Sequence, residues 1–224
     1  MQIDRSNVLQ VLGQVGWLSE QPVAFQVLIA AAGRWQRFAR GQRLYDEGDR
    51  SDALFGLAAG QLDVAVAITG DEAVVIHRAP PGFWIGDSGL LAEAPRSICV
   101  TAASDCLVFR VPAAAVRRLL AEHPEYWVCF AKLAHRNGTL ALNVLAEVLS
   151  LPPRARFARM LLRMAAPDGS LHVTQAELCR MAGMSRAAFR RAFREVIASG
   201  VVATGYGGLR IIDRVALDAI ANDP

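Results

Sequence analysis

Between residues 174 and 194 the chain gathers Arg180, Arg186, Arg190, Arg191 and Arg194 among small and apolar residues. A guanidinium fork binds phosphate oxygens and the O6/N7 edge of guanine. The residue order around these arginines is that of two short helices joined by a tight turn. Thr174 is placed to cap a helix over Gln175–Ala182, with Glu177 three residues on as its reciprocal partner. Gly183 supplies the positive φ of the turn. Ser185 then caps a second helix, Arg186–Ser199. From that helix Arg186 projects at the first turn and Arg190 and Arg191 one turn later. Ala188, Phe189, Phe193, Val196 and Ile197 supply its inner face. Donors at the amino end and outer face, with apolar packing behind, are what a helix in the DNA major groove needs. The other reading is an arginine-rich surface in an arginine-rich chain, because Lys132 is the only lysine.

Such a pair of helices needs a scaffold, and the flanking residues predict one. Val201-Val202, Gly205 to Gly208 and Leu209 to Ile212 read as a hairpin. Upstream, Phe157, Met160, Leu161 and Leu162 read as an amphipathic helix, Pro167-Asp168-Gly169 as a turn, and Leu171 with Val173 as a short strand. Charge separates this part from the rest. Residues 1–151 hold 13 Lys+Arg against 15 Asp+Glu, a net of −2, while residues 152–224 hold 11 Arg against 6 Asp+Glu, a net of +5. A small basic module behind a slightly acidic one points to a polyanionic partner.

The boundary falls at Pro152-Pro153, which stops a long helical segment opening at His123-Pro124-Glu125. Phe130, Leu133, Asn137, Leu140, Val144, Glu147 and Leu151 step along it by three and four, a heptad seam with two polar interruptions. Asn137 there can set the register between two copies of the helix. The competing reading is a core helix packed on its own barrel. Before it, Pro112 opens a short helix over Ala113–Leu120. Strand signals recur every 8–12 residues: Leu44-Tyr45, Ala53 to Leu57, the strict alternation Leu62, Val64, Val66, Ile68 up to Thr69-Gly70-Asp71, Val74 to Ile76, Ile98 and Val100, and Leu107 to Val111. Regular short strands with turns between them predict a sandwich or jelly-roll barrel. Residues 6–33 read as two helices, and the pattern changes from Arg37.

The 224 residues are 53% hydrophobic, enough for one large core or two modest ones, and this excludes a disordered chain. The apolar run Leu140–Leu149 is broken by Asn143 and Glu147, short of the roughly 20 residues of a membrane span. Met1–Asn7 carries Asp4 and Arg5 and lacks a secretory pattern, so no membrane association and a cytoplasmic location are expected. Cys99, Cys106, Cys129 and Cys179 show no C-x-x-C spacing and read as reduced thiols.

These motifs together resemble the Crp/Fnr family of transcription regulators, the catabolite-activator type. The resemblance runs over about Phe38 to Leu217. It rests on Gly41-Gln42-Arg43-Leu44-Tyr45-Asp46-Glu47-Gly48-Asp49, Ser51-Asp52-Ala53-Leu54-Phe55, Gly60-Gln61-Leu62, Gly86, Leu90-Leu91, Pro95-Arg96-Ser97, His123-Pro124-Glu125 and the helix pair above. It implies an α+β architecture in three parts. A jelly-roll β-barrel sensor domain of the cyclic-nucleotide-binding type, with its amino-terminal helices, takes residues 1–120. A dimerisation helix takes 121–151, and a winged helix-turn-helix DNA-binding domain takes 152–224. It further implies a homodimer that binds double-stranded DNA sequence-specifically, under control of an effector the residues do not identify, with RNA polymerase as a further partner. On this resemblance Arg186 and Arg191 are base or phosphate readers, with Ser185 and Arg190 beside them, and Thr174 and Gln175 contact the DNA backbone. Ala187 stands where the catabolite-activator type has Glu. A carboxylate there accepts from cytosine N4, so its loss implies a different half-site.

The same resemblance places effector-binding positions at Gly86, Asp87, Ser88, Arg96 and Ser97. In nucleotide-binding relatives a Gly, a short helix and an Arg-Ser pair cradle a cyclic phosphate, and a Glu takes the ribose hydroxyl. Gly86, Arg96 and Ser97 match, whereas Asp87 is one methylene shorter than the Glu and Ser88 replaces an aliphatic residue. Trp84 adds bulk nearby. The purine-binding Thr-Ser pair falls on Ala141-Leu142, which lack those groups. A cyclic nucleotide is thus half supported, and Arg96 can equally pair with Asp87 or Glu93. An iron–sulfur cluster is not expected, because no cysteine precedes Cys99; haem would have His77 as its lone candidate ligand. Two other functions compete with this reading. A cupin-like jelly-roll metalloenzyme needs clustered ligands, but His77, His123, His135 and His172 are scattered, so no enzyme is expected. A winged helix that binds protein instead of DNA would lack the steep salt dependence of phosphate contacts.

Overall fold

The computed structural model describes residues 7–69, 72–166, 168–205 and 207–223. Residues 1–6, the turn residues Gly70-Asp71 and Pro167 lie outside the described residues. Contacts divide the chain into two compact units, Met1–Leu140 and Ala141–Pro224.

The first unit opens with α1 (Asn7–Val11), a 3-10 turn (Trp17–Glu20) and α2 (Val23–Ala32). Six strands follow: β1 (Arg34–Phe38), β2 (Arg43–Tyr45), β3 (Ala53–Ala59), β4 (Leu62–Thr69), β5 (Glu72–Ala79) and β6 (Trp84–Ile85). Next come α3 (Asp87–Leu91), β7 (Cys99–Ala102), β8 (Cys106–Pro112), α4 (Ala113–Glu122), a 3-10 turn (Pro124–Tyr126) and α5 (Trp127–Ser150). The first strand begins at Arg34, three residues before the expected change of pattern. The strands form two antiparallel four-stranded sheets, ordered β1-β8-β3-β6 and β2-β7-β4-β5. A strand's side chains alternate between faces, and β3 and β8 bury both. Ala53, Phe55, Leu57, Cys106 and Val108 point into the barrel with Tyr45, Leu62, Val64 and Val100. Leu54, Ala58, Phe109 and Val111 point outward into a second core built with the helices. There Trp17 lies 5.6 Å from Phe25, 5.7 Å from Phe130 and 5.2 Å from Trp84 between ring centroids. The Trp17 indole N–H donates to the Cys129 carbonyl at 2.8 Å. Trp84 therefore belongs to the helical core and not to the barrel interior. On the outer face of the other sheet, Asp63 accepts two bonds from its cross-strand partner Arg78, at 2.7 and 2.9 Å.

The second unit takes the last turns of α5, then α6 (Pro153–Met164), β9 (Ser170–Leu171), α7 (Gln175–Met181), α8 (Arg186–Ala198), β10 (Val202–Gly205), β11 (Gly208–Ile211) and α9 (Arg214–Ala221). The strands pair in the order β10-β11-β9. The core centres on Phe157, which lies 5.6 Å from Phe189 and 5.9 Å from Phe193. Burying such a ring stabilises the unit by about 2–3 kcal/mol. The sequence reading had no element after Ile212. The structure adds α9, capped by Asp213, whose carboxylate accepts from the Ala216 N–H at 2.9 Å, and packed against α6.

The heptad seam on α5 is real but faces its own chain. Phe130 and Leu133 are fully buried in the helical core. Asn137 donates to the Trp84 carbonyl at 3.1 Å and to Asp87 Oδ1 at 2.8 Å. Glu147 is buried and accepts from Arg163 through both carboxylate oxygens, at 2.6 Å on Oε1. Arg159 lies 3.9 Å from the same group. Asn137 therefore does not set register between two copies. The opposite face carries the apolar residues left in solvent: Leu142 is 66% and Leu149 77% exposed, with Leu145 and Val148 also exposed.

Candidate functional site

The helix pair stands as its caps predict. The Glu177 N–H donates to Thr174 Oγ1 at 3.2 Å, and the Thr174 N–H donates to Glu177 Oε2 at 2.8 Å. The Thr174 hydroxyl also donates to Glu177 at 2.8 Å, so it is engaged within the cap. Gly183 sits at φ 57°, the left-handed conformation the turn requires. Ser185 Oγ accepts from the Ala188 N–H at 3.3 Å and starts α8. Phe189, Ala192 and Val196 are buried beneath α8. Above it, Ser185, Arg186, Ala187, Arg190, Arg191 and Arg194 are exposed, as are Gln175 and Arg180 on α7. Among the described residues, Arg180, Arg186, Arg190 and Arg191 have no carboxylate within ion-pair distance.

The geometry divides the predicted set. Gln175, Arg180, Arg186 and Arg190 line one open cleft of about 410 Å³ between α7 and α8, with Cys179 at its floor. Residues four apart share a helix face, which joins Arg186 to Arg190, whereas Arg191 is about 140° round from Arg186. Arg191 lines a separate hollow of about 240 Å³ with Pro152, Pro153 and Arg154 at the start of α6. Arg180 was expected among the basic residues of the helix pair without an assigned contact, whereas Arg154 was absent from the expected site. Arg180 was legible as a basic residue in the last turn of a helix that faces α8, but Arg154 depends on where α6 docks.

In the barrel, Gly86 has φ 102°, and a side chain there would meet Arg96 Nη1 at 2.6 Å. This glycine admits the guanidinium of Arg96, which is 4% exposed. Arg96 Nη1 donates to the Gly86 carbonyl at 3.0 Å and Nη2 to the Ala53 carbonyl at 2.6 Å. The guanidinium lies 4.2 Å over the Tyr45 ring. Its carboxylate neighbour is Asp52, at 3.7 Å, which also pairs with Arg110. The expected pairing of Arg96 with Asp87 or Glu93 is thus replaced by two backbone carbonyls and Asp52. Glu93 instead lies 3.5 Å from Arg117. Asp87 is 3% exposed, and burial pushes its carboxyl above the usual aspartate range, partly offset by hydrogen bonds that include Asn137. Burial also raises the Tyr45 phenol and lowers the Arg96 guanidinium. Ser88 and Ser97 are exposed, whereas Gly86, Asp87 and Arg96 are buried. Among the described residues no group of three or more His, Cys, Asp or Glu is placed to hold a metal ion, and no helix is long and apolar enough to cross a membrane.

Residues 35–123 match the family model of the cyclic nucleotide-binding domain, and residues 155–220 match that of the Crp-like helix-turn-helix domain. The two models in this order take in well over half of the chain. The chain belongs to the Crp/Fnr family of transcription regulators. It is 28% identical over 191 residues to the cyclic AMP receptor protein of Thermus thermophilus, covering 82% of this chain and 86% of that one. Lysophospholipase NTE1 of Cryptococcus neoformans is 32% identical over 105 residues, 47% of this chain, and the match spans only 6% of that protein. The fold is that of FixK2 from Bradyrhizobium japonicum, with a TM-score of 0.75 over 86% of this chain and 98% of that one at 14% identity. As a Crp/Fnr-family chain it is a DNA-binding transcription regulator. The cyclic nucleotide after which its first domain is named needs a free two-donor edge for phosphate and a free carboxylate for ribose. Arg96 commits two of its five N–H donors to carbonyls and its buried Nε has no partner among the described residues, while Asn137 bonds only Oδ1 of Asp87.

Proposed function

We propose that this regulator acts as a homodimer and reads duplex DNA with α8, using Arg186 and Arg190 together with Arg180 and Gln175 across the cleft. The observation that carries the reading is a row of guanidiniums, without a carboxylate at ion-pair distance among the described residues, on a helix whose opposite face is locked by Phe189, Ala192 and Val196. Arg186, nearest the amino end of α8, is the base reader. Arg190 and Arg191 contact phosphates on either side of it, with Ser185, Ala187 and Thr174 close to the duplex. Thr174 holds Gln175 in place through its cap and does not itself bind phosphate. The exposed apolar residues Leu142, Leu145 and Leu149 recur at three and four, the spacing of a helix that pairs with a second copy. In the sequence this spacing continues back through Gly138, His135, Ala131 and Val128. The sensor, dimer-helix and DNA-binding parts correspond to residues 1–120, 121–151 and 152–224. With duplex DNA as its target the protein works in the cytoplasm, and RNA polymerase is the further partner this reading implies.

The test is a titration of selected duplexes against the wild type and Arg186→Ala at fixed salt. Losing one bidentate guanine contact removes about 1–3 kcal/mol of discrimination, roughly a 5- to 150-fold loss of preference for the selected sequence. Binding to unrelated duplex should fall far less. Retention of full preference by Arg186→Ala refutes the assignment.

A further inference from the structure

The arginines of α8 and Ala187 fall on one arc of the helix, and all of them are exposed. Counted round the axis from Arg186 at about 100° per residue, Arg190 lies at about 40°, Arg194 at about 80°, Ala187 at about 100° and Arg191 at about 140°. The buried residues Phe189, Ala192 and Val196 lie at about 240–300°. The line of surface opposite them, at about 90°, is held by Ala187 and Arg194. Arg194 is drawn back along the helix, where its Nε donates to the Arg190 carbonyl at 3.3 Å. Ala187 lies two turns nearer the amino end, in the first turn that Ser185 caps. The ridge of α8 that faces away from its own core therefore carries a methyl group at its amino end. Arg186 and Arg190 stand to one side of it and Arg191 to the other. The methyl has no place among the apolar side chains that build the core of the unit.

A helix lowered into the major groove brings that ridge nearest the base edges. A methyl offers neither donor nor acceptor. The apolar group it can meet there is the C5 methyl of thymine. Against a guanine, cytosine or adenine edge it would cover polar atoms and leave them without a partner. Successive helix residues are displaced by about 1.5 Å along the axis and stacked base pairs by about 3.4 Å, so neighbouring side chains of the first turn reach adjoining pairs. We propose that Ala187 is a specificity-determining residue, its methyl packing on the C5 methyl of a thymine in the base pair next to the guanine that Arg186 reads. The half-site thus holds a G·C pair and a T·A pair in succession, one chosen by a guanidinium and the other by a methyl. The inference rests on the reading of α8 as the DNA-facing helix.

Selection of duplexes from a random pool by the full chain is the first test. The pair whose preference falls in Arg186→Ala marks the guanine, and a T·A pair is expected beside it. A selected site with no T·A pair at either neighbour overturns the proposal and leaves the DNA-binding reading intact. A pool in which no sequence is enriched fails that reading and the proposal with it, as does an Arg186→Ala that lowers the preference at no pair. The second test removes the methyl from the DNA. Replacing the thymine by deoxyuridine keeps every hydrogen-bonding group and should weaken wild-type binding about three- to fivefold, the worth of one buried methyl. Ala187→Gly should bind the two duplexes within about twofold of each other. A wild-type loss below about twofold overturns the proposal, and so does a larger loss that persists in Ala187→Gly. Ala187→Glu is a second variant should the glycine loosen the first turn. Its carboxylate accepts from cytosine N4, so the preference at that pair should move from thymine to cytosine, and a preference that stays on thymine overturns the proposal.

Discussion

The Glu147–Arg163 pair ties the last turns of α5 to α6, and breaking it should unfold the DNA-binding unit before anything else. Glu147 is almost fully buried and Arg163 is 24% exposed at its side chain. Removing one member of a buried ion pair costs about 3–5 kcal/mol, because the remaining charge is left without its partner. Here two features reduce that figure. Arg163 is partly hydrated, and Arg159 remains 3.9 Å from the same carboxylate. Arg163→Met should therefore cost about 2–3 kcal/mol, less than the full buried value. For a unit running from Ala141 to Pro224, each kcal/mol moves the midpoint by about 4–8 °C, so its transition should fall by roughly 8–24 °C. The double replacement Glu147→Leu with Arg163→Met removes both charges and should return to within about 1 kcal/mol of the wild type. Differential scanning calorimetry gives the transition, and hydrogen exchange of α6 and α8 peptides locates it. A loss below about 1 kcal/mol in the single variant, or a double variant as unstable as the single, would show that the pair does not anchor α6.

Two further outcomes are expected. Leu145→Asp puts a charge at the centre of the exposed α5 stripe and should convert the proposed dimer to monomer in sedimentation velocity; an unchanged dimer would place the interface elsewhere. Asp87→Asn should gain stability over the wild type as pH rises from the ordinary aspartate range. The folded-state pKa of Asp87 is raised by burial, so its contribution is present at low pH and lost as pH climbs through that raised value. Equilibrium unfolding of both proteins between about pH 4 and pH 8 checks this, and a constant difference refutes it.

What the residues disclosed was local. Thr174 and Glu177 three apart, Gly183, and Ser185 before Arg186 name their own partners within a few positions, and each cap forms as read. The alternation Leu62, Val64 likewise assigns its own face. What stayed hidden depends on partners distant in sequence. α5 carries two apolar stripes, and choosing between them requires knowing that Asn137 meets Asp87, 50 residues earlier, and that Glu147 meets Arg163. Its polar residues looked like signals for a second chain because their partners in this one could not be seen. Arg96 misled for a related reason: two of its partners are carbonyl oxygens, which every residue carries and no sequence marks. The final helix could have been read from Asp213 ahead of Val215, Leu217 and Ile220, a cap followed by an apolar face.

The aromatic cluster around Trp17 has an optical consequence. All four tryptophans, Trp17, Trp35, Trp84 and Trp127, lie in the unit ending at Leu140, and the DNA-binding unit has none. Indole emission is therefore a native reporter of the barrel and its helices alone. Trp17 and Trp84 are shielded from a water-borne quencher, and Trp127 is open to it. A titration that dims only the quenchable fraction is watching the first turn of α5.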